Sequence, residues 1–363
     1  MQKYLLVFGM FLCASVYAQK DKYASIDSIV SNAAIKDHFN AVVLVADKGK
    51  IKYEKAFGYR NFEEKMLLEK TDLFELASVS KQFTAMVIMM LKEKGLLQYD
   101  DLAEKYITIP YKGITIRHLL THTSGLPDYQ AIMDAHWDKT KVAGNNDIIA
   151  YLNQYSPPKL SEPGAKYAYS NTGYVLLASI AEKASGRDFV EFCTKEIFQK
   201  LKMKHTAIRT LVQKAAVRDF AIGHVYIKEK DAYIRADSFP SSNYTIWLGN
   251  RKGPGRISST AEDLLKWDQA LYSAKLVSPK TIEEAFTPML LNDGKISNYG
   301  FGWVIIPNDP SGKIVWHNGD NPGYKTLIMR FLNSRQTLIV LCNNASDQFD
   351  NIIKQVRSVL TSQ

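Results

Sequence analysis

Ser78-Val79-Ser80-Lys81-Gln82-Phe83-Thr84-Ala85-Met86-Val87-Ile88-Met89-Met90-Leu91 is the stretch on which the reading of this chain turns. Its residues are apolar nearly all round a helical wheel, and Lys92-Glu93-Lys94 followed by Gly95 supplies a polar end and a cap, so the spacing predicts a buried central helix. If the helix starts near Ser78, Lys81 lies one turn on and its amine reaches the serine oxygen. The same start offers unpaired backbone N–H groups and a partial positive charge, which favour an alkoxide or oxyanion forming there. Burial would also desolvate the lysine and make it a better base. Moving its pKa from about 10.4 to near 7 requires roughly 4 to 5 kcal/mol from the surroundings.

The four residues alone also fit an N-cap serine followed by a solvated lysine. A second match, Ser156-Pro157-Pro158-Lys159, shows how cheap the spacing is. There the tandem prolines exclude a helical turn joining serine to lysine, so only the first match can work as a pair.

Around this helix the chain divides by periodicity. Ala41–Ala46 and Ile51–Phe57, joined by Asp47-Lys48-Gly49-Lys50, read as a β-hairpin. At the far end Phe301–Ile306, Lys313–His317, Thr326–Phe331 and Gln336–Cys342 read as successive antiparallel strands, with a terminal helix from about Asp347. Between them, Asp147–Leu152, Tyr174–Lys183 and Ala261–Trp267 carry the apolar spacing of helices. The expectation is an α/β fold of the α+β type. Both chain ends form one antiparallel sheet with flanking helices (about 19–98 and 271–363), a mostly helical lobe (about 99–270) is inserted, and the site lies in the cleft between.

Met1-Gln2-Lys3, an apolar stretch from Tyr4 to about Leu12 and Val16-Tyr17-Ala18 before a polar run read as a signal peptide over 1–18, cleaved after Ala18. A lipid anchor at Cys13 is disfavoured because Met10-Phe11-Leu12 lacks a small residue. Residues 19–363 are then one exported globular unit, periplasmic or secreted, with no membrane-spanning run. Cys193 and Cys342 could pair or remain two buried thiols, the latter being the expectation. No Cys/His ligand spacing or H-E-x-x-H occurs, so neither a metal nor a cofactor is expected. The net charge of +9 comes from scattered lysines, which argues against a nucleic-acid partner. The sequence leaves the oligomeric state open.

Acyl transfer needs more than a serine and a base: a proton relay, oxyanion donors and a substrate positioner. Tyr169-Ser170-Asn171 places two hydroxyls and an amide just before a predicted helix. Tyr169 could pass a proton, and Asn171 could hold Lys81 and a substrate carbonyl or amide. His317-Asn318-Gly319-Asp320 is the only H-x-G in the chain and ends a predicted strand. Gly319 would let substrate backbone lie against the strand edge, and the Asp320 N–H could join that of Ser78 in an oxyanion hole, a donor typically worth about 3 kcal/mol of barrier. Each motif alone also fits a structural role: a half-buried tyrosine, a capping asparagine, a histidine in a turn.

Taken in order, these motifs resemble the penicillin-recognising serine hydrolases, meaning class C β-lactamases, D-alanyl-D-alanine carboxypeptidases and related esterases. Leu119–Pro127, Gly255–Asp263 and Tyr299–Trp303 also resemble that family, and the likeness covers nearly the whole mature chain. It implies a β-lactamase/transpeptidase-like fold, with Ser78 as the acylated nucleophile, Lys81 its base, Tyr169 the relay, Asn171 a positioner, and His317 and Gly319 on the third motif. Many β-lactamases carry lysine at the His317 position, and a histidine is mostly neutral at pH 7, which disfavours β-lactam turnover. The implied substrate is a D-amino-acid peptide, peptidoglycan-derived peptides included, or a small ester. A β-lactamase and a non-catalytic penicillin-binding sensor or envelope scaffold are the alternatives. No G-x-S-x-G elbow is present for an α/β-hydrolase reading. Tyr129 and Asp128 are candidates to line the substrate pocket, with a surface turn as the other option. His122 is read as structural, Glu162 as exposed, and Trp303 and Trp316 as core.

Overall fold

The computed structural model describes residues 22–362. The leader assigned to 1–18, with Cys13, lies outside the described residues. Six strands form the main sheet: β1 (Ala41–Asp47), β2 (Lys50–Phe57), β3 (Val304–Asp309), β4 (Gly312–Asn321), β5 (Tyr324–Phe331) and β6 (Gln336–Cys342). Their order is β3-β4-β5-β6-β1-β2, antiparallel throughout. The first and last parts of the chain therefore meet where β1 pairs with β6, Ala41 opposite Cys342 through Asp47 opposite Gln336.

The apolar runs of β1 and β6 follow from burial on both faces. Alternate side chains point to opposite sides: Val42, Leu44, Ile339 and Leu341 enter one core, while Val43, Val45, Leu338 and Val340 enter the other. The second core is closed by α1 (residues 22–36), through Ile26, Val30 and Ala33, and by the terminal helix, through Phe349, Ile352, Val356 and Leu360. The first face packs on α2 (Lys81–Glu93), whose residues Lys81–Leu91 are all buried, as the apolar-all-round pattern requires. Gly95, at φ +72°, lies just beyond the end of α2.

Helices α3 (Asn145–Tyr155), α4 (Asn171–Ser185) and α5 (Ala261–Ala270) lie in the inserted segment. Between α4 and α5 the backbone also forms short strands. Ile257–Ser259 pairs with both Phe74–Glu75 and Ala207–Ile208, which ties the inserted segment to the chain just before Ser78. The strand expected over Phe301–Ile306 begins only at Val304. Gly302, at φ +78°, turns the chain across the start of α2, where a Cβ would stand 3.0 Å from the Gln82 backbone. Cys193 and Cys342 are buried free thiols in separate cores. Among the described residues no helix is long and apolar enough to cross a membrane.

Candidate active site

Ser78 does not open an α-helix. It sits in a 3₁₀ turn over Ala77–Ser80, entered through Ala77 at φ +47°, and α2 follows at Lys81. Three residues per turn eclipse positions i and i+3, so this local tightening stacks Lys81 over Ser78 more directly than an α-turn would. Lys81 Nζ is 2.9 Å from Ser78 Oγ. Ser80 serves the scaffold instead, since its Oγ accepts the Ile257 N–H at 3.2 Å and fastens the neighbouring short strand.

Lys81 is fully buried, and Nζ also lies 2.9 Å from Asn171 Oδ1 and 3.1 Å from the Pro254 carbonyl. Burial lowers its pKa well below the usual lysine value, the charge of Arg251 lowers it further, and Asp128 opposes them. A neutral amine has two N–H groups and one lone pair. Asn171 Oδ1 and Pro254 O can only accept, so they take the two N–H groups and the lone pair faces Ser78. The serine hydroxyl then donates to Lys81 and accepts from the Tyr169 hydroxyl, which is 2.8 Å away. Burial raises the Tyr169 pKa above its ordinary value, so the phenol keeps its proton at neutral pH.

Asn171 is held in turn. Asp128 accepts from its backbone N–H at 2.9 Å and from its side-chain Nδ2 at 3.0 Å, which fixes Oδ1 as the atom facing Lys81. Tyr129, expected to line the pocket, is instead 1% exposed, and its hydroxyl accepts from Arg251. The adjacent Asp128 does line the cleft. His122 is buried at φ +55°, with Nδ1 accepting the Ser170 N–H at 3.2 Å and its ring centred 4.2 Å from that of Tyr169. Together with Tyr167, Tyr174 and Tyr299 it forms an aromatic bed behind Tyr169.

The third motif departs from its sequence reading. β4 runs on to Asn321, so His317 is within the strand and buried. Its Nδ1–H donates to the Asn318 carbonyl at 2.5 Å, so in the neutral ring Nε2 accepts from the Tyr299 hydroxyl at 2.9 Å. Burial, with Lys81 adding to it, pushes its pKa down to about 3. It is a neutral strut, with both nitrogens already engaged by the protein, and its expected direct contact with substrate is corrected accordingly. Gly319 makes room for the protein rather than for substrate: a Cβ there would stand 2.2 Å from Leu76 O and 2.3 Å from Thr326 Oγ1. The strand thus lies directly on the turn that presents Ser78. β3 pairs with β4 only as far as Trp316, so among the described residues no strand covers that edge of His317–Asn321. Side-chain alternation turns Gly319 inward and Asp320 outward, and Asp320 and Asn321 border the Ser78 cleft.

That cleft encloses about 360 Å³ and is bordered by Ser78, Asp128, Asn171, Arg251 and Asp320 among others. Elsewhere, Ser156 caps α3 through its own turn, with Oγ donating to Asn153 O at 3.0 Å, while Lys159 pairs with Glu162 at 2.7 Å. Trp303 is buried and Trp316 half-buried. Pro254 and Arg251 carry no signal in the sequence beyond the Gly253-Pro254-Gly255 run.

The family described as Beta-lactamase matches residues 27–360. Penicillin-binding protein 4* of Bacillus subtilis (strain 168) is 40% identical over 349 residues, 95% of this chain and 77% of the relative. Among solved structures, the octameric penicillin-binding protein homologue from Pyrococcus abyssi superposes with a TM-score of 0.80 at 26% identity, covering 93% of this chain and 77% of that one. The D-amino acid amidase from Ochrobactrum anthropi SV3 shares the fold at TM-score 0.75 and 21% identity, over 94% of this chain and 99% of the amidase.

Proposed function

Because the chain belongs to the Beta-lactamase family of serine acyl hydrolases, we propose that it is an exported enzyme in which Ser78 forms and releases an acyl-enzyme on the amide or ester of a D-amino-acid peptide or small ester. Ser78 Oγ attacks the carbonyl carbon and gives its proton to Lys81. The tetrahedral intermediate collapses as Tyr169 protonates the leaving group. Water then attacks the acyl-enzyme with Lys81 and Tyr169 in the reverse roles. Asn171 positions Lys81 and a substrate amide or carbonyl. The backbone N–H groups of Ser78 and Asp320 stabilise the oxyanion, and the His317–Asn321 edge aligns an extended substrate.

One observation carries this reading: a fully buried lysine amine lies 2.9 Å from a serine hydroxyl that is itself bonded to a tyrosine hydroxyl. The names of the relatives support the substrate class, one a penicillin-binding protein and one fold neighbour a D-amino acid amidase. A neutral His317 disfavours fast β-lactam turnover, because an uncharged imidazole stands at the position where a cation would receive the β-lactam carboxylate.

The test compares wild type with Ser78→Ala on a fluorescent penicillin, a chromogenic cephalosporin, p-nitrophenyl acetate and D-Ala-D-Ala peptides. Ser78-dependent labelling by penicillin and turnover of ester or peptide are expected. Absence of every Ser78-dependent signal would falsify the enzyme reading, and rapid cephalosporin turnover would make the protein a β-lactamase. Export rests on residues 1–18, and N-terminal sequencing of secreted protein should begin at Gln19.

A further inference from the structure

Arg256 has no part in the hydrolytic cycle, yet its placement is unusual twice over. Its φ of +79° is in the left-handed region, where glycine is the ordinary occupant. Its side chain is 4% exposed and stands in the wall between the Ser78 cleft and an adjoining cavity of about 510 Å³. Nη1 approaches Glu75 at 3.5 Å and the Thr245 carbonyl at 3.4 Å, both long for hydrogen bonds, and Nε has no partner among the described residues. Strained backbone and an unsatisfied buried donor are two costs at one residue, and an acceptor bound to the same guanidinium would offset part of the total.

Asp128, Asp134 and Asp320 line the Ser78 cleft itself, and the charge of matching sign lies on the side of the adjoining cavity. Glu75 is shared between Arg256 and Lys214, whose Nζ lies 3.0 Å from it, and Asn321 donates to its other oxygen at 2.9 Å. Burial alone would raise the Glu75 pKa, but Lys214 and Arg256 outweigh it and bring it down to about 2. Two cations against one ionised carboxylate leave this wall with an excess positive charge. The adjoining cavity as a whole is lined by five cations and three carboxylates, and Arg218 makes no ion pair among the described residues. Leu211, Val217, Phe220 and Ile222 give it an apolar side.

We propose that Arg256 anchors a carboxylate of the substrate at the junction of the Ser78 cleft and this cavity. Glu75 and Thr245 engage Nη1 and Nε is sealed within the wall, so Nη2 remains to meet a carboxylate oxygen. The group that bears the carboxylate packs against Leu211, Val217 and Phe220. Arg256 supplies the fixed cation that the neutral His317 does not. The assignment to substrate rests on the Ser78 reading above.

Carboxylate binding can be read without turnover. Titration calorimetry with N-acetylglycine and its neutral counterpart N-acetylglycinamide is run on wild type, Arg256→Gly and Arg256→Gln. Glycine takes a φ of +79° without strain, so Arg256→Gly should keep the fold even where Arg256→Gln does not, and circular dichroism checks both. Wild type is expected to prefer the acid over the amide at least tenfold, and the preference to fall within twofold in the folded variants. A preference retained in Arg256→Gly, or absent from wild type, overturns the proposal. p-Nitrophenyl acetate hydrolysis by wild type and Ser78→Ala reports on the nucleophile alone, so a failure of the hydrolytic reading appears there and not in the calorimetry.

Discussion

Lys81 works as a base only when uncharged, and two residues that never touch its nitrogen pull its pKa in opposite directions. Arg251 lowers it and Asp128 raises it, on top of the larger lowering from burial. The acid limb of the kcat/KM profile marks the loss of the neutral amine as pH falls. Arg251→Gln should therefore move that limb to higher pH and Asp128→Asn to lower pH, measured with a p-nitrophenyl ester. Shifts of the same sign in both variants would overturn Lys81 as the titrating group. Tyr169 makes a separate claim. Its hydroxyl stands 2.8 Å from Ser78 Oγ, within reach of a leaving group, so Tyr169→Phe should cut kcat by about 10²- to 10⁴-fold, the usual span for general acid–base catalysis, with KM little changed. A fall of less than tenfold would remove Tyr169 from the proton path.

Element packing decides whether those side chains meet at all. β4 lies on the Ala77–Ser80 turn with only Gly319 between them, so a Gly319→Ala methyl would collide with Leu76 O at 2.2 Å. Strand and turn must part, at a cost of about 1–3 kcal/mol in stability, and Ser78 moves with the turn. Urea unfolding and ester hydrolysis should both register the change, and an unaltered urea midpoint would show that the contact is slack. The strands themselves are legible in the sequence because Ala41–Ala46 and Gln336–Cys342 are unbroken apolar runs, which a sheet covered on both faces requires. The helix over 22–36 is not, because Ile26, Val30 and Ala33 are sparse among Asp27, Ser28, Ser31 and Asn32. The site shows the same division. Ser78 and Lys81 are three residues apart and announce themselves. Pro254 O, 173 residues from Lys81, and Asp128, 43 residues from Asn171, are ordinary residues whose roles exist only after folding. His317 reads as a strand end because Asn318-Gly319-Asp320-Asn321 has the composition of a turn, whereas pairing with β5 through Asn321 opposite Tyr324 keeps it extended.

At the scale of the molecule, enclosing the site between the sheet and the inserted segment has forced ionisable groups into the interior, and they set its response to acid. His317 is held at about 3 against an ordinary 6.5, and burial also lowers His122 well below that value. Between pH 6.5 and 3 the unfolded chain takes up a proton at His317 that the folded chain refuses. Stability is therefore intact above about pH 6.5 and falls, by about 1.4 kcal/mol per pH unit, as pH drops toward 3. Glu75 enters later. Its folded pKa is about 2 against an ordinary 4.5, so its contribution is present above 4.5 and is lost as pH falls toward 2. Acid loss should begin with the histidines and steepen once Glu75 titrates. His317→Gln can keep a polar partner for Tyr299 but cannot take up a proton in this range. Urea unfolding free energies from about pH 6.5 to about pH 4.5 should fall less steeply in this variant than in wild type, by about 1.4 kcal/mol per unit, whatever its stability at neutral pH. Parallel slopes would mean that His317 is protonated within the fold. The argument from burial against β-lactam turnover would then be withdrawn, and only the mostly neutral state of an ordinary histidine at pH 7 would stand against it.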